Sequence, residues 1–188
     1  MTARDRLLDL FVQRSFRLGD FTLASGRKSG FYVDCRTTTM HAEGQDLLGR
    51  VGCDYLDEAG WRPDLVGGLT MGADPIAYAI AGESFRRGEP IHAFSVRKQA
   101  KRHGRGRQIE GCFESGARVV VVEDVITTGG SALQACESIK AEKGTIVGIL
   151  AVVDREEGGS EAIAEAGFHV ISMFGIGELR ERAADLTD

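Results

Sequence analysis

Two adjacent carboxylates, Glu123 and Asp124, stand between four valines, Val119 to Val122, and the small-residue stretch Thr127, Thr128, Gly129, Gly130 and Ser131. The valine run reads as a short strand buried on both faces, and a helical pattern opens at Ala132. Both acids are thus expected where the strand stops, ahead of a loop that opens a helix. In open α/β sheets that edge is where ligands bind. Gly129 and Gly130 allow the backbone to take positive φ and approach a ligand closely. Consecutive N–H groups there, with the hydroxyls of Thr127, Thr128 and Ser131, can surround a phosphate at the positive end of the helix. The paired acids repel phosphate and suit a sugar diol, or a divalent cation brought by the ligand. A 5-phosphorylated ribose satisfies both halves. The plainer reading of the same residues is a strand-to-helix turn with hydroxyl caps and solvated acids. A P-loop is excluded, because no Gly-x-x-x-x-Gly-Lys-Ser/Thr occurs.

A second concentration of chemistry runs from Arg97 to Arg107, with six Lys or Arg, His103, two glycines and no acid. Such a run is usually a solvated loop or a nucleic-acid arm. Beside a phosphate loop it also suits a clamp over a polyanionic substrate, with glycine hinges and a closure that excludes water. Lys28, in the turn Ser25 to Gly30, and Arg155, at the end of an apolar strand, are two further isolated cations. Arg155 should point into the same crevice as the acids, because its strand neighbours theirs.

These residues need a frame. Helical periodicity appears from Thr2 to about Phe16, with Thr2 as cap, and from His41 to Ala59, stopped by Gly60. Phe21–Leu23 and Phe31–Asp34 alternate like two short strands around the Lys28 turn, a hairpin-like flap. Strands are expected at 65–68, 91–96, 145–153 and 169–172. Helices are expected from Asp74, as cap before Pro75, and over 132–142, 158–166 and 176–186. Strands alternating with helices imply a mostly parallel α/β sheet with right-handed crossovers.

Length and composition bound the rest. The 188 residues, 43% hydrophobic and 27% charged, are those of one globular domain, 1–188. The net charge of −5 disfavours nucleic acid as a general partner. No apolar run approaches the roughly 20 residues of a membrane span. The N-terminus lacks a signal-peptide hydrophobic region, and Cys35, Cys53, Cys112 and Cys136 are widely spaced. Both point to a cytoplasmic protein with reduced thiols rather than a zinc site or disulfide framework.

Glu123 to Ser131 resembles the phosphoribosyl-diphosphate signature of the type I phosphoribosyltransferases. Phe21 to Ser29, with Tyr32 and Asp34, resembles the hood of the orotate phosphoribosyltransferases, and Arg97 to Gly104 resembles their flexible catalytic loop. The resemblance implies the type I phosphoribosyltransferase fold, a mostly parallel central sheet flanked by helices, with a small N-terminal hood over about 1–40 and the loop over about 97–110. It implies Mg2+-dependent transfer of the 5-phosphoribosyl group from 5-phosphoribosyl 1-diphosphate (PRPP) to orotate, giving orotidine 5′-phosphate and pyrophosphate in pyrimidine biosynthesis.

Carried over by residue, Glu123 and Asp124 take the ribose hydroxyls, Thr127 to Ser131 take the 5′-phosphate, and Val125 and Ile126 complete the PRPP-binding stretch. Arg97, Lys98, Lys101 and His103 surround the pyrophosphate. Lys28, Thr127 and Arg155 hold orotate. Lys101, His103 and Asp124 are the implied catalytic residues, and Mg2+ is held mainly by PRPP with Asp124 as its one candidate protein ligand. A homodimer is implied, with loop 97–107 reaching the neighbouring active site. Three departures stand out. Glu123 replaces a common Asp, Gly30 replaces a common proline, and the loop Gly68 to Asp74 lacks a lysine found in some relatives. The rival readings are transfer to a purine or uracil base, and a regulator on the same fold.

Overall fold

The structure, a computed structural model, describes residues 1–22, 26, 28–99 and 108–186. Its centre is a six-stranded sheet in the order β5-β4-β3-β6-β7-β8. The strands are β3 (Leu65–Leu69), β4 (His92–Val96), β5 (Ile109–Gly111), β6 (Arg118–Ile126), β7 (Thr145–Asp154) and β8 (Val170–Gly175). All neighbours are parallel except β5, which runs antiparallel to β4.

Alternation along β6 explains why its valines have no polar face. Val120 and Val122 join one core cluster with Leu48 and Ile76 from the helices α3 (Ala42–Glu58) and α4 (Ala73–Arg86). Val119 and Val121 join the opposite cluster with Ala135 and Ile139 of α5 (Gly130–Ala141) and Ile163 of α6 (Gly159–Glu165). Each strand residue points to the face opposite its neighbour's, so a central strand covered on both sides must be apolar throughout. The first cluster also receives α1 (Ala3–Arg14) and α7 (Ile176–Asp185). Those two helices are tied by Arg182 on Asp9 at 2.6 Å, and Arg4 on Glu178 at 2.7 Å fixes the same end.

The hood is the antiparallel pair β1 (Phe16–Thr22) and β2 (Lys28–Val33). Phe16 and Phe31 turn inward, with ring centroids 6.0 Å apart, and anchor it. A short helix, α2 (Arg36–Thr39), joins the hood to α3. The Ser15 hydroxyl stands 2.6 Å from that of Thr38 and 2.9 Å from that of Thr37, which closes the junction.

Several boundaries differ from expectation. α1 keeps its Thr2 cap, in a capping box with Asp5, but stops at Arg14 so that Phe16 can begin β1. Asp74 is not the cap of α4. Gly72 is, and Asp74 sits in the first turn accepting from the Thr70 hydroxyl. β6 does not end at Glu123 but carries both acids and continues to Ile126, because pairing with β7 satisfies the backbone past them. α5 starts at Gly130 rather than Ala132, and β8 runs to Gly175 rather than Ser172. α2 and β5 carried too few residues to show a period.

Leu150 of β7 is fully buried between β6 and β8. Leu150→Ala should cost about 2–5 kcal/mol by chemical denaturation. A loss below about 1 kcal/mol would show that the site collapses around the change.

Candidate functional site

The carboxyl edge of β6 meets three other segments. Glu123 lies on the α5 side of the strand and is only 6% exposed. Asp124 turns toward the loop after β3, where Gly72 packs directly on it. A Cβ built at Gly72 would come within 2.6 Å of Oδ1 and 2.8 Å of Oδ2. The Val125 N–H donates to Asp124 Oδ1 at 2.9 Å. From the hood junction, the buried Cys35 thiol donates to the Asp124 carbonyl at 3.5 Å. The second acid is therefore fixed in direction by three pieces of chain.

Beyond β6, residues 125–132 and Glu123 enclose a hollow of about 80 Å³. Its floor is the amino end of α5, whose first N–H groups have no partner within the helix. Gly129 takes φ 78°, and a side chain there would meet the Gly159 carbonyl at 2.8 Å. Gly130 does not need positive φ, contrary to expectation, because it is already the first helical residue. A hollow of this size, lined by N–H groups and the hydroxyls of Thr127, Thr128 and Ser131, suits one phosphate group.

Next to it opens a cavity of about 480 Å³ beneath the hood. Glu123, Asp124, Val125, Thr127, Ser131, Lys98 and Arg155 all reach its wall. Arg155 follows β7, and its guanidinium stacks 4.7 Å from the Phe31 ring centre. The expectation that this arginine enters the crevice of the acids is met. Lys28 is not brought in: it is exposed at the start of β2 and outside the wall. Arg97 is likewise turned aside, its Nε donating to Glu110 at 3.0 Å. Lys101 and His103 lie outside the described residues. Thr70 and Met71 close the wall opposite the hood.

Sequence reasoning passed over three contributors. Arg36 lines the cavity while donating to both oxygens of Asp34, at 2.9 and 3.0 Å. Cys35 was weighed only as one of four thiols. Glu157 accepts from Arg155 Nε at 2.9 Å. The proximity of Arg36 to Tyr32 and Asp34 in sequence was the available signal; nothing local marked Glu157 apart from its neighbouring glutamate. Two other cavities, of about 330 and 570 Å³, sit at the opposite edge of the sheet. In the first, Arg62 and Arg87 are already paired with Asp57, Asp54 and Glu83.

Burial pushes the Glu123 carboxyl up to about 9, and the hydrogen bonding and charge of Asp124 add to the rise. Its Oε2 is buried without a hydrogen-bond partner. The Asp124 carboxylate, at the wall of an oxygen-rich cavity, fits a divalent cation that arrives with a ligand. It is not part of a cage: among the described residues no three His, Cys, Asp or Glu side chains are grouped to hold a metal.

Glu123 also makes stability depend on pH. Its proton is held more tightly in the folded chain than at the ordinary 4.5, so its contribution is complete below pH 4.5 and fades as pH rises toward 9. Glu123→Gln, a mimic of the protonated acid, should match the parent in melting temperature near pH 4 and exceed it increasingly toward pH 9. A gap that stays constant across that range would overturn the assignment.

Comparison with known proteins agrees with this geometry. A family model described as "Phosphoribosyl transferase domain" matches residues 53–175. The orotate phosphoribosyltransferase of Aquifex aeolicus is 46% identical over 182 residues, covering 95% of this chain and 98% of that protein. The crystal structure of the Mycobacterium tuberculosis orotate phosphoribosyltransferase with Fe(III) dicitrate superposes with a TM-score of 0.84. It is 44% identical, with 95% of this chain and 99% of that one covered. The same enzyme in complex with PRPP gives a TM-score of 0.80 at 40% identity, with the same coverage of both chains. A buried strand ending in two acids, a one-phosphate hollow and a hooded cavity thus lie on a familiar fold, and the chain belongs to the orotate phosphoribosyltransferases of the type I phosphoribosyltransferase family.

Proposed function

We propose that this chain catalyses the Mg2+-dependent reaction of orotate with PRPP to orotidine 5′-phosphate and pyrophosphate, as a step of pyrimidine biosynthesis. The observation that carries the proposal is the adjacency of the phosphate-sized hollow to a cavity lined by both acids and by Arg155. That set of groups matches the phosphate, diol and anionic base of the two substrates. A purine or uracil base would leave a buried arginine without an anion to meet.

In this reading the 5′-phosphate rests on residues 127–131, and the ribose hydroxyls are accepted by Glu123 and Asp124. Thr127 and Arg155 hold orotate. Lys28 would have to swing in from the hood rim. Breaking the bond from C1 to pyrophosphate builds positive charge on the ribose and negative charge on the leaving group. Asp124, fixed against Gly72, offers a carboxylate to the first. Lys98 at the cavity wall, with Lys101, His103 and an Arg97 released from Glu110, answers the second, His103 as hydrogen-bond or proton donor. Mg2+, when bound with PRPP, supplies further charge neutralisation at the diphosphate. Orotate is already an anion, so holding it against C1 supplies much of the rate.

We further propose a homodimer in which loop 97–107 serves the neighbouring site. Tyr78 and Phe85, seven residues apart on α4, share an exposed apolar face, and Met71 is exposed just before that helix. Four free cysteines suit a reducing cytoplasm.

Orotate consumption followed by ultraviolet absorbance tests the reaction. Turnover should require PRPP, stop with a chelator and return with Mg2+, and fall at least about a hundredfold in Lys101→Ala. No turnover with orotate, alongside turnover of another base, would move the chain to a different acceptor. Gly72→Ala should lower kcat/KM by at least about tenfold, since its methyl must displace the Asp124 carboxylate. Unchanged kcat/KM would remove Asp124 from the chemistry.

A further inference from the structure

The guanidinium of Arg155 is held in an uncommon way. It is 8% exposed, and one face lies on the Phe31 ring of the hood. Arg180, from α7, stands 4.6 Å from the same ring centre. On its edge, Nε donates to Glu157 Oε1 at 2.9 Å. Nη2 is 2.8 Å from that oxygen but is not aligned as a hydrogen bond, so it stays a buried donor without an acceptor. An unmet buried donor on a cavity wall is costly unless a ligand supplies the acceptor.

The chain between the two residues is bent to produce this contact. Glu156 takes φ 55°, a left-handed conformation that non-glycine residues rarely adopt. The turn is fixed by Asp154, which accepts from the Glu156 N–H at 2.8 Å and from the Ser160 hydroxyl. Backbone strain beside a site residue is retained where the surroundings over-determine it. Here it returns the Glu157 carboxylate onto the arginine two positions earlier.

We infer that Glu157 is a positioning residue: it holds the Arg155 guanidinium by one edge while a face lies on the hood ring, so that the remaining donors face the carboxylate or the ring oxygens of the base. The inference rests on the orotate reading above. Glu157 does not touch substrate. It fixes the fork geometry on which bidentate recognition of an anion depends, and it offsets part of the buried charge before the substrate arrives.

A double-mutant cycle on orotate kcat/KM tests this. Glu157→Ala should raise the KM for orotate about tenfold, with kcat and the KM for PRPP within about twofold. Glu157→Gln, which keeps an acceptor oxygen at the same reach, should fall between the two. In an Arg155→Lys background, removing Glu157 should change kcat/KM by less than about twofold. An equal loss in both backgrounds, or no loss in either, overturns the positioning role. If the parent enzyme consumes no orotate, the functional reading is what fails. The crystal structure of Glu157→Ala then decides the inference: a guanidinium displaced from the Phe31 ring upholds it, and one left in place overturns it.

Discussion

Everything at the site follows from the burial of a charge-bearing strand. β6 lies between two helical layers, so its backbone must be paired on both edges and its side chains must be apolar until the sheet ends. Glu123 and Asp124 lie past the last pairing of β6 with β3, at Val121, while β7 still pairs the strand as far as Ile126. Burial that would be ruinous mid-strand is tolerable there, because one acid keeps its proton and the other is received by the cavity. The same pairing with β7 brings Arg155 alongside, since the Arg155 N–H donates to the Ile126 carbonyl at 3.0 Å. Positive and negative groups are therefore brought to the wall of one cavity by register.

The hood completes the cavity and does so through packing rather than charge. Phe31 serves the core with Phe16 and the site with Arg155 at the same time. Cys35 and α2 carry that placement into the Asp124 backbone. Altering the hood's apolar anchor would thus be felt at both sides of the cavity.

What could be read from the residues divides along physical lines. The valine run, the paired acids and the small-residue loop are local signals, and the sheet class, the phosphate hollow and the Arg155 placement were legible from them. The extent of β6 was not, because pairing with β7 carries a strand through residues whose own preference is for its end. Gly130 was misjudged for a related reason: helix onset depends on hydrogen bonding along α5, which glycine does not announce. Gly72 was read only as part of the loop Gly68 to Asp74, and its contact with Asp124 is visible only once β3 and β6 are neighbours. Glu157 was missed because it acts through a bend at Glu156 that no composition rule marks. Lys28 was placed by resemblance, and the geometry leaves it at the rim.

The contact of Gly72 with Asp124 has a kinetic side. The two residues belong to β-strand units that are adjacent in the sheet but separated along the chain by α4, β4 and β5. Parallel pairing of that kind is non-local and forms late relative to helices, since the intervening loop entropy must be overcome first. A partly folded chain can hold its helices and even the β6–α5 turn while having no acid-lined wall. Recovery of affinity for the sugar diphosphate during refolding should therefore trail recovery of helical signal, making the ligand a reporter of the last tertiary step rather than of collapse.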